Sequence, residues 1–331
     1  MESGANISVF VLSGLVEMEG LRCLYCALST VIYSLIMTLS ISIILVVLTE
    51  RSLQEPMYIL ISNLVLNGVF GTSSFFPKLI VDLITSTETI SRNACLAQST
   101  AMALFAVYDL STFSIMAYDR YLAVCHPLHY VTLMTNEKVL KLIIGSWVIS
   151  FLGTLIAILL TRSLPLCGDK LNNIFCDNMS LVALSCVDSS TTRLYTAMGM
   201  TIYFIITFLV TGFSYVKIFI TCSKLSKESR HKAFHTLLTH LINFSIFVVG
   251  VFFVFIRYRL GEVKLSLTVH VLLSIIPIVI PPLFNPLIYG VRTQALKIKL
   301  LKHFGKLHVE TKSLRHSLLQ MILNCKEGLH R

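Results

Sequence analysis

Seven apolar segments constrain this chain more than any other feature, lying near residues 25–48, 57–80, 98–122, 139–160, 195–220, 237–258 and 266–290. Each has close to the ~20 residues needed to cross a hydrocarbon layer as a helix. In lipid the backbone polar groups of each segment must be satisfied internally, which helices achieve. Composition agrees: of 331 residues 55% are hydrophobic and 13% charged, with a mean hydropathy of +0.79. A soluble domain carries roughly 25% charged residues. The expected fold is an all-α membrane protein, a seven-transmembrane helix bundle. It divides into an N-terminal segment 1–24, a spanning domain 25–290 and a tail 291–331, which leaves little chain for a catalytic domain.

An odd number of spans puts the termini on opposite sides. The net charge of +10 matters less than where Lys and Arg fall. The segment from Arg292 through Lys297, Lys299, Lys302 and Lys306 to Arg331 supplies the asymmetry, and it assigns the C-terminus to the inner side. Asn6-Ile7-Ser8 is a glycosylation sequon and fits an extracellular N-terminus of a multi-pass plasma-membrane protein. The basic residues flank apolar helices and form no groove with interleaved aromatics, so membrane lipid is the expected partner and nucleic acid is not.

The third segment ends in Met116-Ala117-Tyr118-Asp119-Arg120-Tyr121, an acid-base pair where a helix leaves lipid. Intramembrane and edge charges mark pairing or function, since a central charge costs roughly 2.5–3.5 kcal/mol. Asp109 lies eleven residues earlier, about 16 Å deeper; it is either hydrogen-bonded to a neighbouring helix or an ion or proton site. The seventh segment ends Pro281-Pro282-Leu283-Phe284-Asn285-Pro286-Leu287-Ile288-Tyr289. Its prolines remove backbone donors and make a bendable element.

Cys95, Cys167, Cys176 and Cys186 fall on the oxidising side, where three pairings are open. Cys23 and Cys26 read as small residues at the membrane boundary, while Cys125, Cys222 and Cys325 face the reducing side. His231, His235 and His240 sit at spacings of four and five without the acid of a metalloprotease motif. No phosphate-binding glycine loop or nucleophile elbow is present. Neither enzymatic activity, a metal nor a cofactor is expected. From Ala295 to Phe304, Leu296, Leu300, Leu301 and Phe304 recur at helical spacing among lysines, the pattern of a short amphipathic helix at the interface. Ser313 and Ser317 stand no higher than chance as phosphosites.

Together these motifs resemble vertebrate odorant receptors, within the rhodopsin-like G-protein-coupled receptors. The carriers are Leu53 through Tyr58, Phe76-Pro77-Lys78, Met116 through Tyr130, Cys167-Gly168, Phe175-Cys176-Asp177, Ser185-Cys186, Ser214-Tyr215, Lys232-Ala233-Phe234 and Pro282 through Tyr289. The chain departs from the family at Leu39-Ser40 and at Gly68, beside Asn67, where a first-span Gly-Asn and a second-span acid are usual. Leu237 and Phe247-Val248-Val249 also differ.

The resemblance implies disulfides Cys95 to Cys176 and Cys167 to Cys186. It implies a small-molecule odorant bound in the outer half of the bundle, among spans three, five, six and seven. Helix spacing and family position give Met102, Ala103, Ala106, Val107, Gly199, Tyr203, Val251 and Phe255 as walls. The implied partner is a heterotrimeric G protein of the olfactory stimulatory type, raising cyclic AMP. Asp119, Arg120, Tyr121, Tyr215, Asn285, Pro286 and Tyr289 form the coupling switch. Lys224, Lys227, Arg230 and Lys232 are candidate contacts to that partner. The alternatives are another rhodopsin-like receptor for a non-odorant ligand, or a transporter. A transporter predicts internal repeats and a polar path, and neither is found.

Overall fold

The first five apolar segments form helices that run past the limits hydropathy gives them at both ends. The computed structural model describes residues 7–16, 18–224, 238, 241–252, 267–292 and 295–302. The first span is Arg22–Thr49, the second Pro56–Thr85, the third Arg92–Cys125, the fourth Asn136–Arg162, the fifth Ser190–Ser223 and the seventh Leu267–Arg292. The sixth is described over Leu241–Phe252. These seven make the all-α membrane bundle. The third helix has 34 residues, about 51 Å at 1.5 Å per residue against ~30 Å of hydrocarbon. Hydropathy locates the lipid-crossing stretch, but capping decides where the helix begins. The Ser91 side chain accepts from the Ala94 N–H, Thr135 accepts from Lys138, and Pro56 opens the second helix where no intrahelical donor is needed.

The third span is the hub. In its most apolar window 61% of residues are buried, against 11% in the fourth. It packs on the second, fourth and fifth spans, while the seventh packs on the first and second. Small residues permit this closeness. A Cβ placed on Gly71 would lie 2.5 Å from the Phe105 ring, and one on Gly68 would lie 3.3 Å from Pro282. The seventh helix stays helical through Pro277, Pro281, Pro282 and Pro286.

One end of the bundle carries a small sheet. Strand β1 (Val9–Leu12) pairs antiparallel with β2 (Thr89–Ser91) and parallel with β3 (Lys170–Leu171). Phe10 and Leu12 are fully buried beneath it. A helical turn, Ser13–Val16, follows, and Gly14 packs against Asn173 and Ile174 so closely that no side chain would fit. Residues 7–16 are therefore part of the fold at this end. At the other end residues 295–302 are helical. Leu296 is fully buried, whereas Ile298 and Leu301 stay exposed. Lys299 Nζ lies 2.5 Å from Glu50 Oε2, in the turn after the first span.

Candidate functional site

At the end opposite the sheet the third helix delivers Asp119 and Arg120. Asp119 is 1% exposed, and its Oδ2 lies 3.1 Å from an Arg120 nitrogen. Tyr130, on the short helix Tyr130–Leu133, donates its hydroxyl to Asp119 Oδ1 at 2.7 Å. Burial, and then the negative charge of Asp119, push the Tyr130 hydroxyl above its ordinary range, so it stays a protonated donor. The carboxylate is thus held from two sides. Tyr130 falls within the family motif, but its distance of eleven residues from Asp119 hides the contact in the sequence. The Arg120 guanidinium is within electrostatic reach of Tyr58, Tyr215 and Tyr289. Tyr215 and Tyr121 share a cluster with Ile218 and Cys222, and the Tyr121 hydroxyl lies 3.1 Å from His126 Nε2. Tyr289 is buried beside Asn243. Asn285 is buried on the same helix.

Half-way along the bundle Asp109 is bound to a neighbouring helix. Asn67 Nδ2 donates to Asp109 Oδ1 at 2.6 Å and to the Phe105 carbonyl at 3.0 Å. The Tyr108 hydroxyl donates to Asn63 Oδ1 at 2.7 Å. The second and third spans are therefore joined by a buried polar seam. The position beside Gly68 that looks anomalous by resemblance supplies the partner. Among the described residues no group of three or more His, Cys, Asp or Glu is placed to hold a metal ion.

Toward the sheet end a cavity of about 350 Å³ opens. Its walls include Met102, Ala103, Ala106 and Val107 of the third span, Gly199 and Tyr203 of the fifth, and Val251 of the sixth. Phe255 and Asn6 lie outside the described residues, as do Lys227, Arg230, Lys232, the three histidines, Phe304, Ser313, Ser317 and Cys325. The fourth span, which is not among the expected walls, also lines the cavity, with Ile149, Ser150, Gly153, Thr154, Ala157 and Ile158. No hydrophobic stripe distinguishes the inward face of the fourth helix; its buried side carries Ser150, Thr154 and Thr161, small polar residues at helical spacing that are the signal sequence reading could have used. The floor is polar: the Tyr203 hydroxyl hydrogen-bonds with Ser111 and lies 3.2 Å from Ser150 Oγ. The ceiling is the loop carrying Asn173, Phe175, Asp177, Asn178 and Met179. Disulfides Cys95–Cys176 and Cys167–Cys186 hold this loop; Cys23, Cys26, Cys125 and Cys222 are free thiols. Asp177 spends its carboxylate capping Ser180. The buried Asn178 Oδ1, at the cavity wall, has no hydrogen-bond partner.

A seven-helix membrane bundle, with a disulfide-tied loop roofing a cavity at one end and a buried Asp-Arg pair at the other, defines a G-protein-coupled receptor. The comparison with known families narrows the class. The olfactory receptor family model matches residues 29–306, and the chain belongs to that family. It is 32% identical to olfactory receptor 5P60 of Mus musculus over 302 residues, covering 91% of this chain and 93% of the relative. It is 33% identical to olfactory receptor 5P73 of Mus musculus over 310 residues, with 92% and 93% covered. Against olfactory receptor 4L1 of Homo sapiens the identity is 31% over 298 residues, with 90% and 94% covered. The family is not enzymatic.

Proposed function

We propose that this receptor binds a small odorant in the cavity beneath the disulfide-tied loop and activates a stimulatory, olfactory-type G protein, raising cyclic AMP. The sheet end, with residues 1–24, faces outside, and Asn6 is a glycosylation site there. Residues 25–290 form the plasma-membrane receptor domain, and 291–331 the amphipathic helix and inner tail. The observation that carries the reading is that one helix, the third, lines the cavity with Met102, Ala103, Ala106 and Val107 and ends in Asp119–Arg120.

The cavity volume of about 350 Å³ equals about a dozen waters at ~30 Å³ each, room for a compound of roughly ten non-hydrogen atoms. Apolar walls supply roughly 25 cal/mol per Å² of buried ligand area, which the cost of association largely offsets, so binding is weak. Asp109 is an intramembrane acid tied to Asn67. Agonist acts by preferring the arrangement in which Arg120 leaves Asp119, with Tyr121, Tyr215, Asn285, Pro286 and Tyr289 rearranging to open a cleft for the G protein. Lys224 and its neighbours border that cleft, near anionic lipid.

The test records cyclic AMP from cells presented with pools of small odorants, with Arg120→Ala at matched surface density. A pool-specific rise, abolished in the variant, is expected. Ligand-dependent signalling that persists in Arg120→Ala would overturn the switch.

A further inference from the structure

The cavity reaches the outside of the bundle between the fourth and fifth spans. Gly153 and Gly199 both line it and both are exposed, and a Cβ added to either would meet nothing within 4 Å. Gly153 lies nine residues before Arg162 and Gly199 nine residues after Ser190, so each sits about 14 Å in from the sheet-side end of its helix. Each glycine lies within the lipid-crossing length of its helix, and the Tyr195–Gly153 and Tyr203–Ser150 contacts bring the two stretches to about the same depth. Ile149 lines the cavity one turn deeper and is 63% exposed. Leu152, Ile156, Met198 and Ile202 are exposed apolar side chains flanking the gap, as lipid contact requires. Two hydrogen bonds link the fourth and fifth spans here: an exposed one of 3.3 Å from the Tyr195 hydroxyl to the Gly153 carbonyl and, about one turn deeper, one of 3.2 Å between Ser150 Oγ and the Tyr203 hydroxyl.

The water-facing side above spans three to five is built differently. Phe175 and Cys176 are buried, the latter bonded to Cys95. Above them β3 is paired with β1, whose Phe10 and Leu12 are fully buried. Opening this roof requires breaking backbone pairing and lifting a covalently tied loop. Opening the gap breaks no backbone pairing and no covalent tie, only the exposed Tyr195–Gly153 hydrogen bond and, at the floor, the Ser150–Tyr203 one.

We propose that ligands enter and leave this cavity sideways from the membrane, through the glycine window between the fourth and fifth spans. The ligands it admits are apolar compounds that dissolve in lipid. The proposal rests on the cavity being the ligand site, but its test needs no odorant. The full-length Ala106→Cys variant in lipid nanodiscs is treated with two methanethiosulfonates of identical reactive head, one methyl and one quaternary ammonium. Modification at position 106 is followed by peptide mass spectrometry, so other thiols do not interfere.

The methyl reagent is expected to react at least about tenfold faster than the charged one, because a charge is excluded from the lipid route. Adding Gly153→Leu and Gly199→Leu should slow the methyl reagent at least about tenfold, the equivalent of ~1.4 kcal/mol of barrier. Gly145→Leu, on the same helix with equally open space but away from the cavity, should leave the rate unchanged. Equal rates for the two reagents, no slowing on filling the window, or no modification at all would each overturn lateral entry. Failure of odorant pools to raise cyclic AMP would instead count against the odorant reading and leave the labelling result standing.

Discussion

The Tyr130 hydroxyl donates to Asp119 Oδ1 at 2.7 Å while Arg120 holds the other carboxylate oxygen at 3.1 Å. The acid is 1% exposed, so each partner offsets part of its desolvation. Tyr130→Phe removes one. A hydrogen bond to a charged group is worth about 1.5–3 kcal/mol, and the part of it absent from the active arrangement is what biases the switch. Basal cyclic AMP at matched surface density should rise about threefold to tenfold, for roughly 1 kcal/mol of bias. An unchanged basal level would mean that the bond is equally present in both arrangements.

Asn67 and Asp109 should behave as a coupled pair. Asn67→Leu leaves a buried carboxyl without its donor and should lower stability by about 1–3 kcal/mol. Thermal unfolding of purified receptor measures this. Asp109→Leu strips the other partner. The double variant should lose less than the sum of the singles, since each single leaves a polar group stranded that the double removes. Strict additivity would show that the 2.6 Å contact contributes nothing.

Asn178→Ala should leave folding intact. Its buried Oδ1 has no hydrogen-bond partner to lose, so removing it should leave the melting temperature equal to the parent's or slightly higher, by up to about 1 kcal/mol of stability. Thermal unfolding of purified receptor checks this; a clear loss of stability would show that the oxygen is satisfied in the folded receptor.

Two changes on the C-terminal helix should differ in size. The Lys299–Glu50 pair is about one-third exposed, with side chains 30% and 35% accessible, so Lys299→Ala should cost less than about 1 kcal/mol. Leu296 is fully buried, and Leu296→Ala should cost about 2–5 kcal/mol. Hydrogen exchange across residues 295–302 should quicken markedly for Leu296→Ala and little for Lys299→Ala. The reverse order would mean that charge, not packing, docks this helix.

Periodicity and motif carry different amounts of this protein. The Asp119–Arg120 pair is adjacent in sequence and readable there, but Tyr130 reaches the same carboxylate from a separate short helix. The strand Val9–Leu12 is a short run of β-branched and aromatic residues that hydropathy directed at lipid-length runs passes over, and its alternating burial appears only in the fold. Fourth-span cavity residues such as Ser150, Thr154 and Ile158 carry no hydrophobic stripe, but Ser150 and Thr154 are small polar residues one turn apart on the buried face, a fainter signal that hydropathy does not register.

The sequence by itself determined that the chain crosses lipid as helices, since apolar length and backbone satisfaction leave no other solution. It also carried the family motifs, because those are local. Only the tertiary structure decided which helix faces meet, that Asn67 answers Asp109, and that Gly153 and Gly199 flank one gap. Those outcomes depend on the rotation and depth of one helix against another. In lipid, where apolar faces are equally well solvated everywhere, close packing of small residues and a few buried hydrogen bonds set that rotation rather than any hydrophobic stripe.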